Sequence, residues 1–408
     1  MASLEQELAR QVRERGQRLS AGFGRAGLSR QVNRSAVLSY LRRYSPTSRT
    51  QVARGLGISL PTVMRIVSEL EEQGLVNELG PGESTGGRPH SLIAFNGSSH
   101  CVIGIDLGGS KIFGALADLN GNILVERYHP FASGQDNHYS ALCSFLEQLV
   151  KAEEAKGRAL MGIGIGVPSV VGPGGVVHWA PALGWRDLPL QEMLTERLSL
   201  PVVVENDVNL AALGELEFGA GVGARHLVCI AIGTGIGAGI VIDGSIYRGA
   251  HQAAGEIGYM LPGLEFLGRS YTGFGALESM ASGSGVARRA RELLRLGQGE
   301  GPSAEAVFAS ARAGEPWAVR VVEETTSYLA LAIANMAAML DPEVVILGGG
   351  VAQSADLLLE PIERKLHGLI PFTPRVAASP LGRRAAVMGA ISMVLDLVTG
   401  RVSIRRFA

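Results

Sequence analysis

Cysteine is scarce: three residues in 408, Cys101, Cys143 and Cys229, lie far apart and form no CxxC pair. That excludes a disulfide framework and a cysteine-based metal site, and each one sits in an apolar run that suits a buried thiol. No apolar stretch approaches the roughly 18 residues of a membrane-spanning helix. The opening MASLEQELARQVRERG is charged and helical in pattern and lacks the apolar centre of a secretory signal. These absences predict a cytoplasmic protein with no membrane partner. Acidic residues are missing from one region: none occurs between Glu14 and Glu69, while Arg15 to Arg65 supply ten arginines. Lysine is absent from Met1 to Asn96, where thirteen arginines against eight glutamates give +5, although the whole chain carries −1. A basic segment on a mildly acidic body points to an anionic partner for that segment alone.

That basic segment contains SRTQVARGLGISLPTVMRIV, Ser48 to Val67. It reads as helix, tight turn, helix. Ala53 is small where two helices cross, Gly57 can adopt the left-handed turn conformation, and Ser59 with Pro61 suits a helix start. Val63, Ile66, Val67 and Leu70 follow the i, i+3, i+4, i+7 stripe of a buried helical face. Val37, Leu38 and Leu41 mark a preceding helix. The segment GLVNELGPGESTGGRPHSLIAFN reads as a two-stranded wing with a Gly/Pro-rich tip. A winged helix predicts operator DNA as the partner, with Arg49, Ser59, Thr62 and Arg65 at the recognition helix and Arg88 at the wing tip.

From Cys101 onward the pattern changes to strands and helices. CVIGID, FGALADL and ILVERYH read as strands joined by GGSK and by the Asn120-Gly121 turn. The order recurs as HLVCIAI, GTGIGAG, GIVI, an Asp243-Gly244 turn, and SIYRG. A matched repeat predicts two similar lobes with both glycine loops at one cleft. Backbone N–H groups of such loops suit phosphate. Asp106, Gly108, Gly109 and Lys111 belong to the first loop, and Gly233, Thr234 and Gly235 to the second. Gly349 in PEVVILGGGV belongs to a third glycine turn suited to a nucleotide's sugar or base. In VVVENDVNLAALGELEFGAG, Asn206 and Asp207 fall at a strand-to-helix corner. Asn and Asp often merely cap helices, but Asn206 can donate to and accept from a hydroxyl, and Asp207 could take its proton. Glu256 in AGEIG and Glu278 in GALES add carboxylates suited to a polyol.

Taken together, NRSAVL, GGRP, DLGGSK, APALGW, ENDVNLAALGE, IGTGIGAGIVIDGSIYRGA and AGEIG resemble the signatures of the ROK family, in family order, from the Asn33 region to the C-terminus. That family comprises bacterial repressors, sugar kinases and unassigned relatives. The winged helix resembles its repressor branch. The resemblance implies an α/β actin/hexokinase-like two-lobe fold with duplicated ribonuclease H-like lobes, preceded by the winged helix-turn-helix. Expected boundaries are 1–97, 98–216 and 217–408, with a C-terminal helix near 385–400 returning to the first lobe. It further implies a sugar in the cleft and ATP across the glycine loops, with Asp207 as catalytic base and Asn206, Glu256, Tyr259 and Glu278 at the sugar. The chain departs from the family at its structural zinc. The ligand positions are Tyr259, Arg269, Tyr271 and Ala276, so no zinc is expected. Ala182 also replaces an asparagine common in relatives.

The resulting expectation is a sugar-responsive regulator, a homodimer or homotetramer whose winged helices meet half-sites about one helical turn apart. Sugar would close the lobes and shift the linker near Asn96–His100. The alternative is an ATP-dependent sugar kinase using Mg-ATP, with or without DNA binding.

Overall fold

The computed structural model describes residues 25–81, 91–131, 137–271, 275–297 and 300–399. The N-terminal unit holds helices α1 (Arg25–Tyr44), α2 (Arg49–Leu56) and α3 (Leu60–Glu72), with strands β1 (Thr47–Ser48), β2 (Val76–Pro81) and β3 (Ser91–Phe95) in the order β1-β3-β2. The wing is therefore three-stranded: the two residues before α2 add a strand too short to carry an alternation pattern. Ser48 opens α2 with a reciprocal capping box to Gln51, and Gly57 (φ 65°) makes the turn. Val63, Ile66, Val67 and Leu70 of α3 are fully buried, each contributing about 1.5–3 kcal/mol of transfer free energy.

The first lobe follows. Its strands β4 (His100–Leu107), β5 (Lys111–Asp118), β6 (Ile123–Pro130), β7 (Ala159–Val167) and β11 (Val202–Asn206) form a sheet in the order β11-β7-β4-β5-β6. Helix α4 (His138–Val150) packs against it. A small sheet, β8 (Val170–Gly172), β9 (Val176–Ala180) and β10 (Trp185–Leu188), leads to α5 (Leu190–Leu198). The second lobe repeats the plan. Its strands β12 (Leu227–Ile232), β13 (Ile236–Ile242), β14 (Ser245–Ile246), β15 (Val344–Gly348) and β16 (Arg375–Ala378) run in the order β14-β13-β12-β15-β16. In both sheets the first strand of the unit pairs antiparallel with the next and parallel with a later one. The central strands are buried on both faces, as their unbroken apolar runs require.

Each lobe sends one helix to the other. α6 (Asp207–Phe218) leaves β11 and packs on β12 and β13, whereas the C-terminal helix, Ala385–Thr399, packs on β4 and β7. These two helices cross at Gly214 and Gly389. A methyl on Gly214 would run into the Ala385 carbonyl oxygen, and one on Gly389 into that of Leu210. The second lobe is completed by α7 (Ala276–Ala281), α8 (Gly283–Leu294), α9 (Ala304–Arg312), α10 (Pro316–Leu340) and α11 (Ala355–Leu366). The C-terminal helix is α12.

The winged helix is built into the first lobe. One continuous apolar cluster runs from Val52, Ile66 and Ile93 to Val102 and Phe113 of the sheet and Ile391 and Val394 of α12. The Asn96–His100 segment is held from both sides. Asn96 N–H donates to Leu75 O (2.8 Å) and Ser99 Oγ to Gly74 O (2.9 Å), while Leu119 N–H donates to Gly97 O (3.0 Å) and Arg158 Nε to Ser98 O (3.0 Å). Movement at this linker therefore requires a defined set of bonds to exchange, and it is not a free tether. All three cysteines are buried free thiols. Among the described residues no helix is long and apolar enough to cross a membrane.

Candidate functional site

The carboxyl ends of the parallel strands meet at one cleft, the usual ligand crevice of an α/β sheet. On the first-lobe side, Asp106 lies one residue before the end of β4, opposite Gly166, and Asn206 ends β11 opposite Val167. Gly108 N–H donates to Lys111 O at 2.9 Å, which closes the first glycine turn. Asn206 caps α6: its Oδ1 accepts from the N–H groups of Val208 and Asn209, both at 2.9 Å. Its Nδ2 donates to Ser169 O at 3.2 Å and to Asp207 Oδ1 at 3.2 Å. The capping reading and the ligand reading of this pair are therefore compatible, because Asp207 retains an oxygen for the cleft.

Desolvation, and then the neighbouring charge of Asp106, raise Asp207 from 3.8 to about 7, with Glu256 adding a smaller push in the same direction. Desolvation raises Asp106 to about 6 against the opposing pull of Lys111. Glu256, exposed on the second-lobe wall, is raised by desolvation and then by Glu278. Glu278 in turn accepts the Ile236 N–H at 2.9 Å, beside the second glycine turn. Asp106, Asp207, Glu256 and Glu278 thus form one electrostatic series from lobe to lobe. Such a set accepts hydrogen bonds from a polyol, and one member is poised to take a proton near neutral pH.

The second glycine turn is closed by Gly233 N–H donating to Gly235 O (2.9 Å) and is backed by Gly283 N–H, at the start of α8, donating to Gly233 O (2.8 Å). Thr234 is exposed at its tip. Gly349 (φ 82°) follows β15, and its Cα lies against the Ile232 carbonyl that ends β12, so the second and third turns are neighbours. The structure therefore brings together the glycine turns, the Asn206–Asp207 corner and the two glutamates. Tyr259 is exposed three residues beyond Glu256. Sequence reasoning missed Glu205, Ser169, His138 and Arg248: Glu205 and Arg248 lie inside quoted segments but nothing local shows that they pair, and no local motif marks Ser169 or His138. His138 Nε2 lies 3.2 Å from Gly109 O. Glu205 accepts from Asn206 N–H and from Arg248.

The winged helix presents a second surface. Ser59 and Thr62 share a hydroxyl hydrogen bond of 2.8 Å at the start of α3, and Ser59 makes no side-chain cap bond. Arg65 is exposed, 4.0 Å from Glu69, and Met64 beside it is also exposed. Arg49 is turned inward instead: it pairs with Glu71 at 2.6 Å and Glu78 at 3.4 Å and ties α2 to α3 and the wing. Arg30 pairs with Glu69 at 2.7 Å. The acid-free stretch of sequence is thus not acid-free in space, since Glu69, Glu71 and Glu78 fold back onto it. Arg88 lies outside the described residues.

Residues 102–397 match the ROK family, and residues 31–77 match a winged helix-turn-helix DNA-binding domain. The chain belongs to the ROK family. It is 33% identical over 390 residues to a putative xylose repressor of Caldicellulosiruptor sp. (strain Rt8B.4), covering 92% of this chain and 98% of that one. It superposes with a TM-score of 0.80 and 26% identity on a ROK-family transcriptional regulator, a homologue of the E. coli MLC protein, covering 91% and 97%. A ROK-family glucokinase from Streptomyces griseus, solved with glucose and AMPPNP, is 34% identical with a TM-score of 0.60, covering 72% of this chain and 98% of that one.

The four positions at which the resemblance implied zinc ligands hold other side chains. Arg269 lies over the Phe266 ring at 5.7 Å, Ala276 is buried at the start of α7, and Tyr259 and Tyr271 complete the four. Among the described residues no three His, Cys, Asp or Glu side chains are grouped to hold a metal ion. Ala182 fits against Gly109, where a Cβ on the glycine would approach the Ala182 methyl to 2.8 Å.

Proposed function

We propose that this ROK protein is a transcriptional regulator, a repressor that binds operator DNA through α3 and the wing and releases it when a sugar or sugar derivative enters the cleft. The observation that carries the reading is the joining, in one chain, of a DNA-binding winged helix to a carboxylate-lined cleft, in an order matched over almost the full length of a repressor. Asn206, Asp207, Glu256 and Glu278 would hold the ligand's hydroxyls, and Ser59, Thr62 and Arg65 would face the DNA. Operators with paired half-sites call for a homodimer or a pair of dimers. Sugar acts on DNA affinity only through differential affinity for two conformations. The test is operator binding, on a site selected from random DNA, measured by fluorescence anisotropy at fixed salt while D-xylose, D-glucose, N-acetyl-D-glucosamine and their phosphorylated forms are titrated. A sugar that shifts the operator Kd supports the reading. DNA binding that no sugar alters, with no sugar bound by calorimetry, overturns it.

One observation favours catalysis as a second reading. Asp207 is held at about 7 beside an intact first turn with Lys111. In that reading Asp207 takes the proton of a sugar hydroxyl as its oxygen attacks the terminal phosphate of Mg-ATP, and the glycine turns hold the phosphates. ADP release that depends on sugar and is lost in Asp207→Ala supports it.

A further inference from the structure

The two walls of the cleft belong to different lobes, and an ion pair between Glu205 and Arg248 joins them. Glu205, the residue before Asn206, is almost completely buried, with a side-chain exposure of 7%. Its two oxygens do different work. Oε1 accepts from Asn206 N–H (2.8 Å) and Asn209 Nδ2 (3.1 Å), which fixes the corner that carries Asp207. Oε2 accepts from Arg248 Nε (2.7 Å) and lies 2.6 Å from Arg248 Nη2. Arg248 belongs to the other lobe, just beyond β14. Its own carbonyl oxygen accepts from Ala254 N–H at 3.1 Å, which closes the loop leading to Glu256. Gly255 (φ 94°) then offers its carbonyl to Ala238 N–H at 2.8 Å, and so seats the loop on β13. One residue therefore touches Glu205 with its side chain and the Glu256 loop with its backbone.

We infer that Arg248 is the positioning residue of this cleft: its guanidinium, through Glu205, sets the Asn206–Asp207 corner, and the same ion pair anchors the backbone of residue 248, whose carbonyl holds Ala254 N–H and with it the Glu256 loop. The inference deepens the proposed ligand site and rests on that reading only for its effect on affinity. A buried carboxylate left without its partner pulls water or a proton inward and disturbs whatever it holds. Arg248 keeps about a third of its side chain exposed, so the pair can respond to a ligand that reorders the loop.

The test uses the full-length protein and amide hydrogen exchange followed by mass spectrometry, without ligand. Arg248→Met should speed exchange at least tenfold both in peptides covering 202–210 and in peptides covering 249–258, with the winged helix unchanged. Arg248→Lys, which keeps the charge, should restore most of the protection. Glu205→Gln combined with Arg248→Met should protect 202–210 again, since the glutamine oxygen still accepts from Asn206, and leave 249–258 fast. Loosening of one segment alone in Arg248→Met, or uniform loosening of the whole chain, would overturn the assignment. Calorimetry on the same variants with D-xylose, D-glucose and N-acetyl-D-glucosamine reads the consequence: for a sugar bound by the parent, Kd rises ten- to a hundredfold in Arg248→Met and less in Arg248→Lys. If none of these sugars binds the parent, the ligand reading fails while the exchange data still judge Arg248.

Discussion

The charge of Asp106 opposes the ionisation of Asp207 across the end of β7. Both side chains stand at the floor of the cleft, and both hold protons to higher pH than an ordinary aspartate. This has a consequence for stability. Unfolded aspartate ionises near 3.8, whereas folded Asp207 ionises near 7. Between those values the folded chain holds a proton that the unfolded chain has lost. The stabilisation is complete below the unfolded value and disappears as pH rises through the folded one. Asp207→Asn should therefore gain stability over the parent as pH is raised from 5 to 8, by roughly 2–3 kcal/mol, because part of the effect of a shift of some three units has already developed below pH 5. Urea unfolding at the two pH values measures it; parallel pH profiles would contradict the perturbed carboxyl.

Arg65 and Arg49 separate two roles for a basic residue. Arg65 is exposed on α3, so Arg65→Ala should weaken operator binding about ten- to a hundredfold at fixed salt and leave unfolding within about 0.5 kcal/mol of the parent. Arg49 is spent on Glu71 and Glu78, so Arg49→Ala should lower winged-helix stability by about 1 kcal/mol. Anisotropy and thermal unfolding on both variants decide. An operator Kd unmoved by Arg65→Ala removes α3 from the DNA interface.

The junction between recognition helix and lobe can be tested for coupling. Buried His100 begins β4, the strand that ends at the cleft with Asp106, and it hydrogen-bonds the backbone of Gln73, just past the end of α3. Ser99 and the Asn96 side chain both donate to Gly74 O. Asn96→Ala with Ser99→Ala should leave DNA affinity and sugar affinity each within a few fold, while reducing the sugar effect on DNA affinity by a coupling of about 1 kcal/mol or more. A full sugar effect in the double variant would place the coupling elsewhere.

The crossing of α6 and α12 provides a packing test. Helix propensity alone would make Gly389→Ala stabilising by about 1 kcal/mol. The added methyl would instead meet the backbone carbonyl of Leu210, which no rotamer change can move. Gly389→Ala should therefore destabilise by ~2–3 kcal/mol. A variant as stable as the parent would mean that the helices do not approach this closely.

Much of the fold was readable because its signals are local. Apolar runs and turn chemistry marked β4 to β6 and their repeat β12 to β14; the apolar stripe Val63, Ile66, Val67, Leu70 marked α3; and Gly57 marked the turn before it. The family, its two-lobe fold and its winged helix all followed from such segments in order. β1 escaped because two residues have no period.

The sequence by itself determined most of the elements and where the glycine turns fall, because those depend on residue type and near neighbours. Only the tertiary structure decided how charges are spent. Arg15 to Arg65 looks uniformly basic in one dimension, yet Glu69, Glu71 and Glu78 return to neutralise part of it. Arg248 lies in the segment SIYRG with no role that its neighbours in sequence reveal, and it acquires one only because folding brings it 43 residues back to a carboxylate that has been removed from water. Coulomb forces between such groups depend on distance in space and on burial, and neither quantity is written along the chain.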